Sequence, residues 1–518
     1  MLKKLLIAAL LFLPTGAFAQ NVTCATRPVG DNTNACASTA FVHGGFQPTL
    51  TLPLSISNGG TGTSSPGLTA GSNIVITGAW PNNTISSSGG AGSGVVGSGL
   101  LNQFAKYPSN GTSVIGTAFN DPLLGPNANN IVAYGADPTG SVDSTAAINN
   151  ALAASAPANI YIPCGSYKVN SNIAVTMPTS ATTSPPNPTA VTIRGGGRNC
   201  TFLNWPNTGG GFTFTYGNMV PNLNLSDMTL TTSQINSGTA ISLQGPTTQN
   251  YAQPGGWQVI QNVEIRGQDG PGGGGAAPVT STAGTEYWSN GIVVFDVSNV
   301  NLVQDTLYSV GQHGNGVTVG GTGGAYPANI ASILNMTDCN FNYWLRGLYY
   351  QNGFQGVSIK GTNFTSNQVG INQDNGFSPN FTAELSITGS QFGMFTTGAF
   401  GIFLGSGVVG ASIGNNVFVM QNGTSKGIQI SGVYNFSITG NYFEAESKTS
   451  QEGIDILGWT KGAGAIEANV FENFTTSLGA VMESTAQNLI VTGNICYDTT
   501  APCISSAAGA SVHLNNNF

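Results

Sequence analysis

A glycine followed by an apolar residue recurs along the second half of the chain, at Gly291, Gly316, Gly347, Gly370, Gly401, Gly427, Gly453 and Gly479. The last three intervals are each 26 residues and the first is 25. Repeats of this length belong to solenoids and propellers, in which each unit buries its apolar face only by stacking on a neighbour. A second element keeps a nearly constant distance from the glycine: SDMTL, QNVEI, QDTLY, TDCNF, KGTNF, GSQF, NNVF, GNYF, ANVF and GNIC. Each is too short for a helix and alternates as a strand does. The pattern predicts an all-β chain wound as a parallel β-helix, one coil per repeat.

Aligning these segments assigns roles to their residues. The first position holds Asp227, Asn262, Asp305, Asp338, Gly361, Gly389, Asn415, Gly440 and Gly493, the residue types that tolerate a left-handed backbone, so it is read as a turn. The next holds Thr306, Cys339, Thr362, Ser390, Asn416, Asn441, Asn469 and Asn494, and its run of asparagines predicts an internal amide ladder. Two residues on, Leu230, Ile265, Tyr308, Phe341, Phe364, Phe392, Phe418, Phe443 and Phe471 predict an inward stack. Cys339 reads as buried filler.

A stacked sheet has open ends whose unpaired edges must be covered. The stretch NIVAYGADPTGSVDSTAAINNALAAS (130–155) supplies the cover: Asp143 is a good helix cap, and Ile148, Ala151 and Leu152 form an apolar stripe. NIYIPCGSYKV follows as the first strands.

Only 7% of the residues are charged, with 73 glycines and a net charge of −8. Few charges, many β-branched residues and frequent turn residues agree with an extended all-β architecture. The acidic balance excludes nucleic acid or an anionic membrane as partners of a basic surface. MLKKLLIAALLFLPTGAFAQ reads as a signal peptide cleaved after Ala19, so a secreted protein is expected; no later segment is long enough to span a bilayer. Residues 20–127 are Gly/Ser-rich and read as linker or thin β-structure, leaving 128–518 for the β-helix domain. Seven cysteines in an exported chain allow disulfides, with Cys24/Cys36, Cys496/Cys503 and Cys164/Cys200 as pairs.

Two resemblances follow. ATRPVGDNTNACASTAFV (25–42) and LPLSISNGGTGTSS (52–65) resemble N-terminal segments of phage tail-fibre and tail-spike proteins. YGADPTGSVDSTAAINNALAAS, NIYIPCGSYKV and VTIRGGGRNCTFL together resemble the N-terminal signature of the pectate-lyase superfamily, in its rhamnogalacturonase- and epimerase-like branch. That resemblance implies a right-handed parallel β-helix acting on an acidic polysaccharide. It implies an exported glycoside hydrolase or polysaccharide lyase, single-chain or homotrimeric, with a non-catalytic glycan-binding adhesin or tail-spike-like protein as the alternative. His313 in GQHGNG is similar to the Gly-His-Gly of polygalacturonases, although the companion Asp-Asp is absent. No dense aspartate cluster of the calcium-site type occurs, so no cofactor is expected, with Ca²⁺ as the alternative.

Candidate chemistry gathers around one long inter-coil loop. Glu264 and Arg266 alternate with inward Val263 and Ile265 and should point to solvent. Asp269 and Glu286 lie in the loop that follows and at its end. Three residues before successive repeat glycines stand Trp288, His313 and Trp344, which predict a platform for sugar rings. Arg346 and Tyr343 flank the last of these, and Arg346 suits a uronate carboxylate. Expected catalytic residues are therefore Glu264, Glu286, His313 and Asp269; expected substrate-binding residues are Arg266, Trp288, Trp344, Arg346 and Tyr343.

Overall fold

The computed structural model describes strands at Ile74–Thr77, Thr84–Ser87, Phe104–Lys106 and Ile115–Thr117 and then residues 129–515. Outside the description lie 155–157, 178–189, 218–220, 247–255, 269–284, 322–332, 352–353, 374–382, 406–407, 447–450, 458–461, 475–477, 484–487, 498–503 and 507–511. The signal-peptide reading and the Cys24/Cys36 pair fall outside the described residues. Contacts divide the chain into two units, one of residues 1–101 and 105–116, the other of 102–104 and 117–518. In the first, Ile74–Thr77 and Thr84–Ser87 form an antiparallel hairpin.

The second unit is a right-handed parallel β-helix. Each coil contributes three short strands, and each strand pairs in parallel with its counterparts in the coils before and after. The third sheet runs through twelve strands, from Ile173–Thr176 to Ile504–Ser506, which fixes the number of complete coils. Coils are counted here from the one that starts at Asn159–Ile162. The first and second sheets meet at a tight corner, so that in coils 3 and 4 a single strand turns from one into the other, at Asn222–Thr232 and Gln258–Gly267.

Helix α1 (Thr145–Ala153) closes the N-terminal end. Its Ile148 and Ala151 are fully buried and join the core that contains Ile160 and Ile173 of the first coil. The helix cap is Ser144, one residue later than expected. Asp143 still serves the helix start: its Oδ1 accepts from the Thr145 amide at 3.0 Å, the Thr145 hydroxyl at 2.6 Å and the Asn170 amide at 3.0 Å. The disulfide Cys164–Cys200 links the first two coils, and Cys496 is also disulfide-bonded.

Inside the helix, Phe341, Phe364, Phe392, Phe418, Phe443 and Phe471 stack with centroids 4.6–5.2 Å apart. The repeat glycines exist because of this stack. A Cβ added at Gly347 would stand 2.6 Å from Phe364 Cδ1 and 2.6 Å from the Gly370 carbonyl oxygen. Only a residue without a side chain fits between a ring and the next coil's backbone.

The corner between the first and second sheets carries the ladder. Asp227, Asn262, Asp338 and Asn415 have φ of 61°, 54°, 53° and 57°, the left-handed turn that their residue types suggest. Asn416, Asn441, Asn469 and Asn494 then stack as expected. Each amide and Nδ2 donates to the next coil's Oδ1 at 2.9–3.0 Å, from Asn416 to Asn494. Each Nδ2 also donates to a carbonyl of the previous coil.

Coil 5 departs from the expected alignment by one residue. Gln304, with φ of 57°, takes the turn; Asp305 drops into the ladder; Leu307, not Tyr308, joins the inward stack. Asp305 is fully buried and accepts from the Val263 amide at 2.8 Å, the same bond that each ladder asparagine accepts. Cys339, in the next ladder position, directs Sγ to the Leu302 carbonyl at 3.5 Å. The other Asp305 oxygen, Oδ2, is buried without a hydrogen-bond partner among the described residues. Burial drives the Asp305 carboxyl well above the usual aspartate range, and the Val263 amide offsets this only in part.

The folded chain thus holds a proton on Asp305 that the unfolded chain releases, so stability is lost as pH rises from the ordinary aspartate range through the raised value. Asp305→Asn restores the ladder amide without a charge. Its urea midpoint should exceed that of the parent by a margin that widens as pH rises; parallel pH profiles would show that Asp305 is not protonated in the fold. Trp344, fully buried with Nε1 donating to the Leu307 carbonyl at 3.0 Å, gives a second expectation. Trp344→Ala should cost about 3–5 kcal/mol of stability by equilibrium unfolding.

Candidate active site on the second sheet

Glu264 and Arg266 lie on the outer face of the second sheet, with Val263 and Ile265 inward between them. Parallel pairing sets Thr229, Glu264 and Thr306 in one outward row and Thr231 and Arg266 in the next. Outward does not mean solvated here. Glu264 is 7% exposed and Arg266 2%, which corrects the expectation that both point to solvent.

The cluster is built from four coils. Glu264 Oε2 accepts from the Thr229 hydroxyl at 3.1 Å, and Oε1 lies 3.6 Å from Arg266 Nε, an ion pair longer than a hydrogen bond. Arg266 is otherwise committed to its own turn: Nη1 donates to the carbonyls of Gly267 and Gln268 at 2.9 and 3.2 Å. Arg198, from the turn after the coil 2 strand Ala190–Gly195, reaches across two coils and donates from Nη1 to the Thr306 hydroxyl at 2.8 Å. Thr229 also bonds to the Arg198 carbonyl.

Burial raises the Glu264 carboxyl above the usual carboxylate range; the Arg266 charge, the Thr229 hydroxyl and the Arg198 charge pull it down without cancelling the rise. Tyr308, half-buried two residues beyond Thr306, feels the Glu264 charge. Burial first and that charge second lift its phenol above the ordinary value, and Tyr343 adds to the rise. A weakened acid, a phenol that stays protonated and a guanidinium thus share one electrostatic neighbourhood.

The other expected residues are dispersed. Trp288 and Trp344 are fully buried, so no sugar platform exists at that register. Trp288 packs edge-on against Trp205 at 5.8 Å and donates from Nε1 to the Arg266 carbonyl at 3.1 Å. His313, on the same count from its glycine, is instead exposed, and its ring stacks on Tyr287 at 4.7 Å. An equal count from the glycine does not give an equal direction, since Trp288 and Trp344 turn inward and His313 outward. Arg346 begins a third-sheet strand, donates to Asn315 Oδ1 at 3.3 Å and lies 4.3 Å over the Tyr349 ring, on a different sheet from Glu264. Tyr343 is exposed with a left-handed φ of 62°, on the Tyr308 side. The Glu286 carbonyl covers Gly267, where an added Cβ would meet it at 1.9 Å. Asp269 lies outside the described residues.

The sequence reading missed Arg198, Thr229, Thr306 and Tyr308. A signal for them was present: once coil 5 is shifted by one residue, Thr306 falls in the Glu264 row and Tyr308 turns outward. Arg198 could not be placed from spacing, since it arrives from two coils away.

Residues 128–376 match the family model described as "Rhamnogalacturonase A/epimerase, pectate lyase-like". No curated protein matches the chain. Among solved structures, the N-terminal fragment of bacteriophage phi29 gene product 12 is 13% identical, with a TM-score of 0.48 over 75% of this chain and 70% of that one. The Azotobacter vinelandii mannuronan C-5 epimerase AlgE6 A-module is 14% identical, with a TM-score of 0.38 over 75% and 99%. Bacteriophage CBA120 tailspike protein 3 is 13% identical, with a TM-score of 0.38 over 76% and 59%. With its coils, ladder and end cap in place, the chain carries a right-handed parallel β-helix, and its residues 128–376 are similar to the rhamnogalacturonase A/epimerase, pectate lyase-like family.

Proposed function

We propose that the chain is an exported carbohydrate-active enzyme that acts on a uronate-containing polysaccharide by proton abstraction. The observation that carries this reading is the Glu264 carboxyl, raised by burial and set beside Arg266, Arg198 and a protonated Tyr308. A glycoside hydrolase needs two carboxyl groups flanking the bond, about 5–9.5 Å apart. Within this cluster Glu264 supplies the carboxyl beside the guanidinium groups, and Asp305 is sealed into the ladder.

In the proposed reaction, ionised Glu264 takes the proton from the carbon α to the uronate carboxylate. The electron pair forms the new double bond, the bond to the neighbouring glycosidic oxygen breaks, and Tyr308 gives that oxygen its proton. Arg198 neutralises the uronate carboxylate, where a cation stabilises the charge that develops. A carboxylate with a raised pKa is a stronger base than an ordinary one, and a phenol with a raised pKa remains loaded as the acid. The charges placed in this cluster, Arg198 and Arg266 beside Glu264, suit an anionic polymer.

The reading is tested by incubating the purified chain with a panel of uronate polysaccharides, following both reducing ends and the absorbance of unsaturated products. Unsaturated ends should appear. Their rate should rise with pH through a value above the ordinary glutamate range, because the base must be ionised. Glu264→Gln should lower turnover by about 10²–10⁴-fold with little change in KM, and Tyr308→Phe should also lower turnover. Reducing ends without unsaturation would replace the reading with hydrolysis; turnover unchanged in Glu264→Gln would move the chemistry off this face.

A further inference from the structure

A second polar centre lies on the outer face of the third sheet, in coils 9 and 10. Strands Lys426–Ser431 and Glu452–Leu457 pair in parallel, setting Lys426 beside Glu452 and Gln429 beside Asp455. Lys426 Nζ stands 2.8 Å from Glu452 Oε2 and 2.5 Å from Asp455 Oδ2. Gln429 Nε2 donates to the same Asp455 oxygen at 2.6 Å. Asp455 is fully buried, yet its Oδ1 has no hydrogen-bond partner among the described residues. Burial alone would lower the Lys426 pKa; its bonds to Asp455 and Glu452 outweigh that, and the ammonium is held protonated above the usual lysine range.

One coil earlier the same outward rows hold Phe400, in register with Lys426, and Phe403, in register with Gln429. Their rings pack edge to face at 5.9 Å, and both are only partly buried. Aromatic carbons therefore adjoin the Lys426 donor, with the Glu452 acceptor one coil further on, and each of these two keeps 23% of its side-chain surface in solvent. The ammonium is compensated by two carboxylates, so the centre is net negative and repels an anionic ring.

We infer that this face is a carbohydrate-binding site for neutral pyranose residues, with Phe400 and Phe403 against the ring's apolar edge and Lys426 and Glu452 on its hydroxyls. Asp455 and Gln429 position Lys426 from beneath. The site is separate from the Glu264 cluster, which lies on another sheet, and it selects the uncharged residues of a mixed polymer.

The test is affinity electrophoresis of the full chain through native gels that contain a galactan, a mannan or an α-glucan, with polygalacturonate as the anionic comparison. At least one neutral polymer should retard the chain. Phe403→Ala and Glu452→Gln should each weaken that retardation by about fivefold in apparent dissociation constant, as loss of one aromatic contact or one hydrogen bond would. Glu264→Gln should be retarded like the parent, so failure of the proposed lyase chemistry does not affect this result. Circular dichroism confirms that the variants are folded, and Glu452→Gln, which preserves shape, guards against a packing effect at Phe403. Absence of retardation in every neutral gel, retardation by polygalacturonate alone, or retardation of both folded variants equal to that of the parent would overturn the inference.

Discussion

The parallel hydrogen bonding of each coil to the next is the constraint on which the rest depends. Every strand is both template and guest, so a side chain's position in one coil fixes the position of its counterparts above and below. The Phe341–Phe471 stack, the glycines that make room for it and the Asn416–Asn494 ladder are consequences of that single register. The ladder matters because the tight corner would otherwise bury backbone groups without partners, and each ladder amide satisfies them on both sides.

The same register explains how a chain with so few charges can gather polar and charged side chains into clusters. Stacking places one residue from each coil in a row about 4.8 Å from the next. Three such residues, Thr229, Glu264 and Thr306, meet although they span 77 positions, and Arg198 closes over them from coil 2. For the two carboxyls buried here, loss of solvation outweighs the neighbouring donors and cations. Glu264 and Asp305 both rise for that reason. Their roles differ because Glu264 faces outward beside cations, while Asp305 faces inward and substitutes for an amide.

The two outer faces carry opposite electrostatic balances. Around Glu264 two guanidinium groups outnumber the carboxylate; around Lys426 two carboxylates outnumber the ammonium.

The sequence by itself determined the coil, its turn, the inward phenylalanines and the asparagine ladder, because a repeated backbone geometry demands the same few residue types at the same step. It also marked Glu264, through its place in an alternating strand. It misplaced coil 5, since aspartate is a commoner left-handed residue than glutamine, and only the backbone shows Gln304 in the turn and Asp305 in the ladder. It misread Trp288, His313 and Trp344 as one platform, since the backbone path of each corner, not the count from a glycine, decides which way a side chain faces. Burial, the direction of corner residues and the arrival of Arg198 from two coils away belong to the tertiary structure alone, because each depends on what a neighbouring coil places in the same space.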